Sequence, residues 1–244
     1  MSTSKKVLVG VLAAIVVLFI AGFSLFTLRD DGPDELVLGE RATTTTQAGE
    51  TTSTTEPAES STTSAAPVSE GVDGTWTLSP DSVAGYRVVE DFASGLSDFE
   101  AVGRTSMIEG SLTISGTQVT AANFSVDVAS IESDDSRRDG QFRGRIMNAT
   151  DFPTADFVLT SPIELGEIPA EGETITAEAT GELTLRGVTN PVTFPLTARL
   201  LGGEIETLGS IDVVFSDYEI DNPSTSVISV RDEGLVEFSL IFVR

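Results

Sequence analysis

Residues Gly181–Leu196 read GELTLRGVTNPVTFPL, and this pattern decides the fold. Leu183 and Leu185 alternate with Glu182, Thr184 and Arg186, and Val192, Phe194 and Leu196 alternate with Thr193, Pro195 and Thr197. A period of two on both sides of a Gly-Val-Thr-Asn-Pro connection predicts two strands, each with one apolar and one polar face. Gly187 can take positive φ and Pro191 discourages helix in Asn190, so the turn is placed over these residues. A slip of one residue would turn every leucine to water, which specifies the register. Taken alone, these residues describe a hairpin in a β-protein core.

Outward from the hairpin the same alternation recurs in Phe124-x-Val126-x-Val128, Ile175-x-Ala177-x-Ala179, Ile211-x-Val213-x-Phe215 and Val236-x-Phe238-x-Leu240-x-Phe242. Turn residues fall between them at Gly116-Thr117, Gly166-Glu167, Glu171-Gly172 and Gly202-Gly203. Evenly spaced antiparallel strands predict a mainly β domain over residues 71–244, a sandwich or an up-and-down barrel with a substantial core. Ser133–Asn148 (SDDSRRDGQFRGRIMN) breaks the alternation. Phe142 and Ile146 share a helical stripe, and Ser136 followed by Asp139 resembles a capping box. A short helix is therefore expected from Ser136, packed across a sheet edge or an opening. Its Arg137, Arg138, Arg143 and Arg145 are either a solvated face paired with Asp134, Asp135 and Asp139, or a guanidinium cluster for an anionic head group.

The N-terminal part has a different texture. Lys5 and Lys6, the only lysines, precede an almost wholly apolar run from Val7 to Leu28, closed by Arg29, Asp30 and Asp31. As a helix that run would reach roughly 30 Å, the hydrocarbon thickness of a bilayer. It exceeds the usual apolar core of a signal peptide and lacks an A-x-A cleavage site. Residues 1–29 are therefore read as a cytoplasmic stub and single-pass anchor to the cytoplasmic membrane, with secretion after signal cleavage as the alternative. The basic flank places the remainder outside the cytoplasm. Residues 30–70 include TTTTQAGETTSTTEPAESSTTS over 43–64, with no aliphatic residue larger than Ala. Such a segment is expected to be a disordered linker, solvated or O-glycosylated, with a coil span of roughly 35 Å.

Composition removes several chemistries. The 244 residues carry a formal charge of −24 and contain neither cysteine nor histidine. Thiol nucleophiles, histidine triads and zinc sites built on those ligands lack their parts. Nucleic acid is not an expected partner, because phosphate neutralisation needs clustered Lys and Arg.

Four patches resemble the YceI family of lipocalin-like, polyisoprenoid-binding barrels. They are Trp76–Val83 (WTLSPDSV), Val128–Ile131 (VASI) running into Ser136–Asp139 (SRRD), Phe152–Phe157 (FPTADF) and Gly181–Val192. The resemblance covers about Gly74 to the C-terminus and implies an extended antiparallel barrel, a helix beside its mouth and an elongated apolar tunnel. It also implies an extracytoplasmic setting and, as ligand, an isoprenoid lipid or isoprenoid quinone, with no other cofactor. Where the family often shows Arg-x-Asp-Phe-Gly-Ile, this chain has Phe215–Ile220 (FSDYEI), and Ala84-Gly85-Tyr86 replaces a frequent histidine in the first hairpin. The tunnel lining expected from the inward rows is Phe124, Val126, Leu183, Leu185, Phe194, Phe215, Phe238 and Leu240, each of which could equally be close-packed core. Arg137 and Arg138 are the head-group candidates.

The resulting expectation is a membrane-tethered, non-enzymatic protein that sequesters or carries a long isoprenoid. The alternative is an envelope or stress-response module with a filled barrel, acting through a protein partner. Carboxylate catalysis at Asp134-Asp135 or Asp232-Glu233 is disfavoured, because neighbours on a strand point apart. The acidic stretch Asp217–Asp221 lacks EF-hand spacing and is not read as a metal site. Asn123-Phe-Ser125 and Asn148-Ala-Thr150 are short sequon matches with no further support.

Overall fold

The computed structural model describes residues 33–42, 71–95 and 97–244. Twelve strands follow in order: β1 (Gly74–Leu78), β2 (Val83–Phe92), β3 (Phe99–Thr105), β4 (Ile108–Ser115), β5 (Gln118–Asp127), β6 (Glu132–Ser133), β7 (Thr154–Leu159), β8 (Ile163–Glu164), β9 (Thr174–Leu185), β10 (Val188–Leu201), β11 (Glu204–Val214) and β12 (Ile228–Val243). β1 and β2 lie end to end, as do β3 and β4. Thr77 opposes Ser111 and Ala84 opposes Thr105 in nearly one continuous register. β5 and β6 likewise continue one another along β4 and β3. The meander is thus a closed eight-stranded antiparallel barrel, sealed where β12 pairs with both β2 and β1. Closure leaves the barrel wall without a long open edge.

The founding hairpin forms, with a correction to its turn. Leu185 pairs directly with Val188, so the connection is Arg186-Gly187 alone, with φ of 50° and 78°. Two consecutive positive φ values make the primed turn whose twist matches the flanking strands. Val188 through Pro191 belong to β10 rather than to the turn, opposite Leu185 through Glu182. Pro191 and Pro195 are tolerated because β11 pairs with β10 only from Leu196 onward, so no ladder bond is lost there.

Asp135 and Ser136 mark the start of the one α-helix among the described residues, α1 (Ser136–Gln141), which runs into a π turn over Phe142–Ile146. The cap is Asp135, whose carboxylate accepts from the Arg137 N–H at 2.8 Å. The expected Ser136/Asp139 box does not form. Asp139 is buried and accepts from both the backbone N–H and the hydroxyl of Ser133, which ties α1 to β6.

Residues 33–42, expected within the linker, lie against the barrel as a strap. Its Leu36 is buried. Arg87 Nη2 donates to the carbonyls of Pro33 and Asp34 at 3.0 Å each, and Ser239 Oγ donates to Glu40 O at 3.2 Å. The Ala42 N–H donates to Asp81 O at 2.8 Å, while Arg41 bridges Asp81 and Glu204. Arg87 and Arg104 both grip the buried Glu237 carboxylate, at 3.0 and 2.9 Å, so the charges under the strap are compensated. No helix among the described residues is long and apolar enough to cross a membrane, and the run 7–28 lies outside the described residues, as do residues 43–70.

Candidate functional site

The inward rows of the barrel bound two apolar spaces with a packed layer between them. The larger, about 390 Å³, opens beside α1 at one end of the barrel. Val126 from β5, Val128 just after it, Ala155 from β7, Leu185 from β9, Val213 from β11 and Val236 from β12 form its deep wall. Phe142 and Ile146 from the π turn, with Met147 just after it, roof it. The smaller, about 110 Å³, lies toward the opposite end, among Leu112, Ala122, Leu159, Ala177, Leu196 and Leu240. Strand alternation explains both, since every second side chain on each strand points inward.

Between them, Phe124, Phe157, Phe194 and Phe238 form a closed cycle of ring contacts with centroids 5.3, 5.4, 5.8 and 5.1 Å apart around the ring. Leu183 and Ile211 complete the layer; each is 1% exposed. Neither borders the open spaces.

The polar end of the large cavity is formed by Tyr86, Glu90, Asp135, Arg137 and Arg138. Tyr86 stacks on Phe142 with centroids 4.6 Å apart, and burial pushes its phenol up to about 12. Burial also raises the Glu90 carboxyl above its ordinary range, against the opposing pull of Arg138. Arg138 lies 3.7 Å from Glu90 and pairs with Asp134, and these two carboxylates outweigh the desolvation that would otherwise favour losing its proton. Arg137 is 91% exposed and faces Asp135 at 3.9 Å. Arg138 is therefore set between two carboxylates, whereas Arg137 stands largely in solvent beside Asp135.

The sequence-derived lining residues divide accordingly. Val126, Leu185 and Phe215 border the mouth cavity, while Phe124, Phe194, Phe238 and Leu240 border the far one. Leu183 lines no open space and is core, because the four rings fill the cross-section around it. One continuous tunnel is thus replaced by two spaces and a partition. Tyr86 and Glu90 were not among the expected site residues. Their signal is the row Ala84-x-Tyr86-x-Val88-x-Glu90, which carries an acid onto an otherwise apolar inward face.

Residues 76–242 match the YceI-like domain. The chain belongs to the YceI-like family. Over 136 residues it is 34% identical to a UPF0312 protein of Pseudomonas aeruginosa strain LESB58, covering 54% of this chain and 62% of that protein. The match to protein YceI of Shigella flexneri is 35% identical over 81 residues, 33% of this chain and 37% of the relative. The chain therefore spans less than two thirds of the length of these curated relatives. Among solved structures, a polyisoprenoid binding domain from Saccharophagus degradans, implicated in plant cell wall breakdown, superposes with a TM-score of 0.55 at 17% identity, covering 69% of this chain and 97% of that one. At that identity the likeness establishes a shared YceI-like barrel and nothing about ligand.

Proposed function

We propose that this YceI-like barrel binds one isoprenoid-type lipid, its chain in the mouth cavity and its head among Tyr86, Glu90 and Arg138. The observation that carries the reading is the apolar space of about 390 Å³ ending in a polar cluster beside α1. A volume in the range of small-molecule sites, with few convergent polar groups, is the geometry of binding rather than of acid–base chemistry. Transfer of each buried CH₂ out of water favours the bound state by about 0.8 kcal/mol, so an apolar chain needs no catalytic group to be held. Arg138 is already countered by Glu90 and Asp134, which suits a hydrogen-bonding head such as a prenol hydroxyl or quinone carbonyl better than a phosphate.

The sequence supports tethering to the cytoplasmic membrane through residues 7–28, with the barrel outside. Under that topology only residues 29–32 separate the apolar run from the strap, about 15 Å at full extension. The barrel would then sit beside the bilayer rather than at the end of a long tether. Native mass spectrometry of the full chain, released from its own membrane, tests the binding reading. A bound isoprenoid mass is expected. Recovery of apo protein alone, with no uptake of an added prenol, overturns it.

A further inference from the structure

We propose that the layer of Phe124, Phe157, Leu183, Phe194, Ile211 and Phe238 is a floor that sets the length of isoprenoid chain the barrel accepts. The inference rests on the lipid-binding reading above and concerns the selectivity of that same site.

The layer is closed and stiff for reasons local to it. Each of the four rings touches the next, so none can swing aside without displacing a neighbour. Two of them are seated against glycines. A Cβ on Gly181 would lie 2.5 Å from the Phe157 ring, and one on Gly209 would lie 2.5 Å from Phe238 Cζ. The rings thus occupy the space those side chains would need, and they reach into the barrel from β5, β7, β10 and β12. Leu183 and Ile211, both almost wholly buried, fill the rest of the cross-section. Packing of this density transmits an intruding methyl group as a clash.

The mouth cavity ends on Val126, Leu185, Val213 and Val236, one inward step above the rings that back them, so the volume above this floor measures the ligand. At about 30 Å³ per non-hydrogen atom, the share a water molecule takes in the liquid, the mouth cavity houses roughly a dozen carbons, between two and three isoprene units. A longer prenol must leave its remaining units outside, where they add nothing by burial. Opening the floor would join the mouth cavity to the far space of about 110 Å³ and release the volume of a ring as well, room for roughly two further units.

The test uses the full chain in detergent with prenols of two, three, four and nine isoprene units, reading affinity by competition and stoichiometry by native mass spectrometry. For the unaltered chain, affinity is expected to rise about tenfold or more per unit up to three units and then to level off. Phe238→Ala should move that plateau by about two units. Phe238→Leu, which keeps the core apolar and guards against a folding failure, should move it by a smaller step in the same direction. Affinity that keeps climbing to nine units in the unaltered chain, or a plateau that neither variant moves, overturns the floor while leaving lipid binding intact. No binding at any length, with no lipid recovered from the membrane, overturns the binding reading and the floor together.

Discussion

Gly209 of β11 and Phe238 of β12 are direct register partners, and the ring of one occupies the place where a side chain on the other would stand. The pair shows how a barrel admits an aromatic layer: a strand gives up a side chain so that a ring from its neighbour can lie across the interior. Gly209→Ala should therefore behave as overpacking, destabilising the barrel by about 1–3 kcal/mol. Urea unfolding followed by tryptophan fluorescence measures this. An unchanged midpoint would mean the layer yields, and would weaken the case for a rigid floor.

The strap offers an independent test. Its own Leu36 is buried, and Arg87 reaches its backbone carbonyls while holding Glu237. Leu36→Ala removes a buried apolar side chain worth about 1.5–3 kcal/mol. A chain beginning at Pro33 should be more stable than one beginning at Gly71 by at least that amount. Thermal unfolding of the two chains compares them directly. Equal melting temperatures would show that the strap contributes no net stability.

A pH dependence follows from Glu90. Its carboxyl is raised by burial, so the folded barrel binds that proton more readily than the unfolded chain, whose value lies near 4.5. The favourable contribution is complete below the unfolded value and is lost as pH rises through the folded one. Above that window the ionised carboxylate is a cost, met in part by Arg138. Glu90→Gln should accordingly be more stable than the unaltered chain at about pH 7, with the difference shrinking toward zero by about pH 4. Melting temperatures across that range decide it; a difference that grows on acidification would reverse the sign and place Glu90 in a net stabilising pair.

Much of this barrel is legible in the alternation of its residues. Leu183, Phe194, Ile211 and Phe238 were readable as inward because period two leaves a strand only two faces. Whether an inward residue lines a space or fills one was not readable, because that depends on which residues from other strands share its level. Leu183 and Leu185 differ by one inward step, yet one is core and the other cavity wall. The turn was misplaced because Asn190 and Pro191 carry strong turn chemistry, which the local absence of a β11 partner overrides. The helix cap moved by one residue because Asp139 found a better partner in Ser133 than in its own helix. The strap was hidden by its length, since Leu36-Val37-Leu38 between charged residues is too short to give a periodic signal.

Phe142 carries the last expectation, which concerns how a ligand leaves. Its ring stacks on Tyr86 and roofs the mouth cavity from the π turn, a part of that wall that lies outside the strand ladders. Segments held by few backbone ladders open more readily than the sheet beneath them, so the roof is the natural exit. Phe142→Ala removes a stacked pair worth about 0.5–1.5 kcal/mol beyond its buried area, and that loss falls on the closed roof rather than on the barrel. Prenol release measured by stopped flow should accelerate by about threefold to tenfold. Hydrogen exchange should rise over residues 136–147 while the β11 and β12 amides stay protected. Release at an unchanged rate despite faster exchange would route the ligand past another part of the rim, between the β2–β3 and β11–β12 connections.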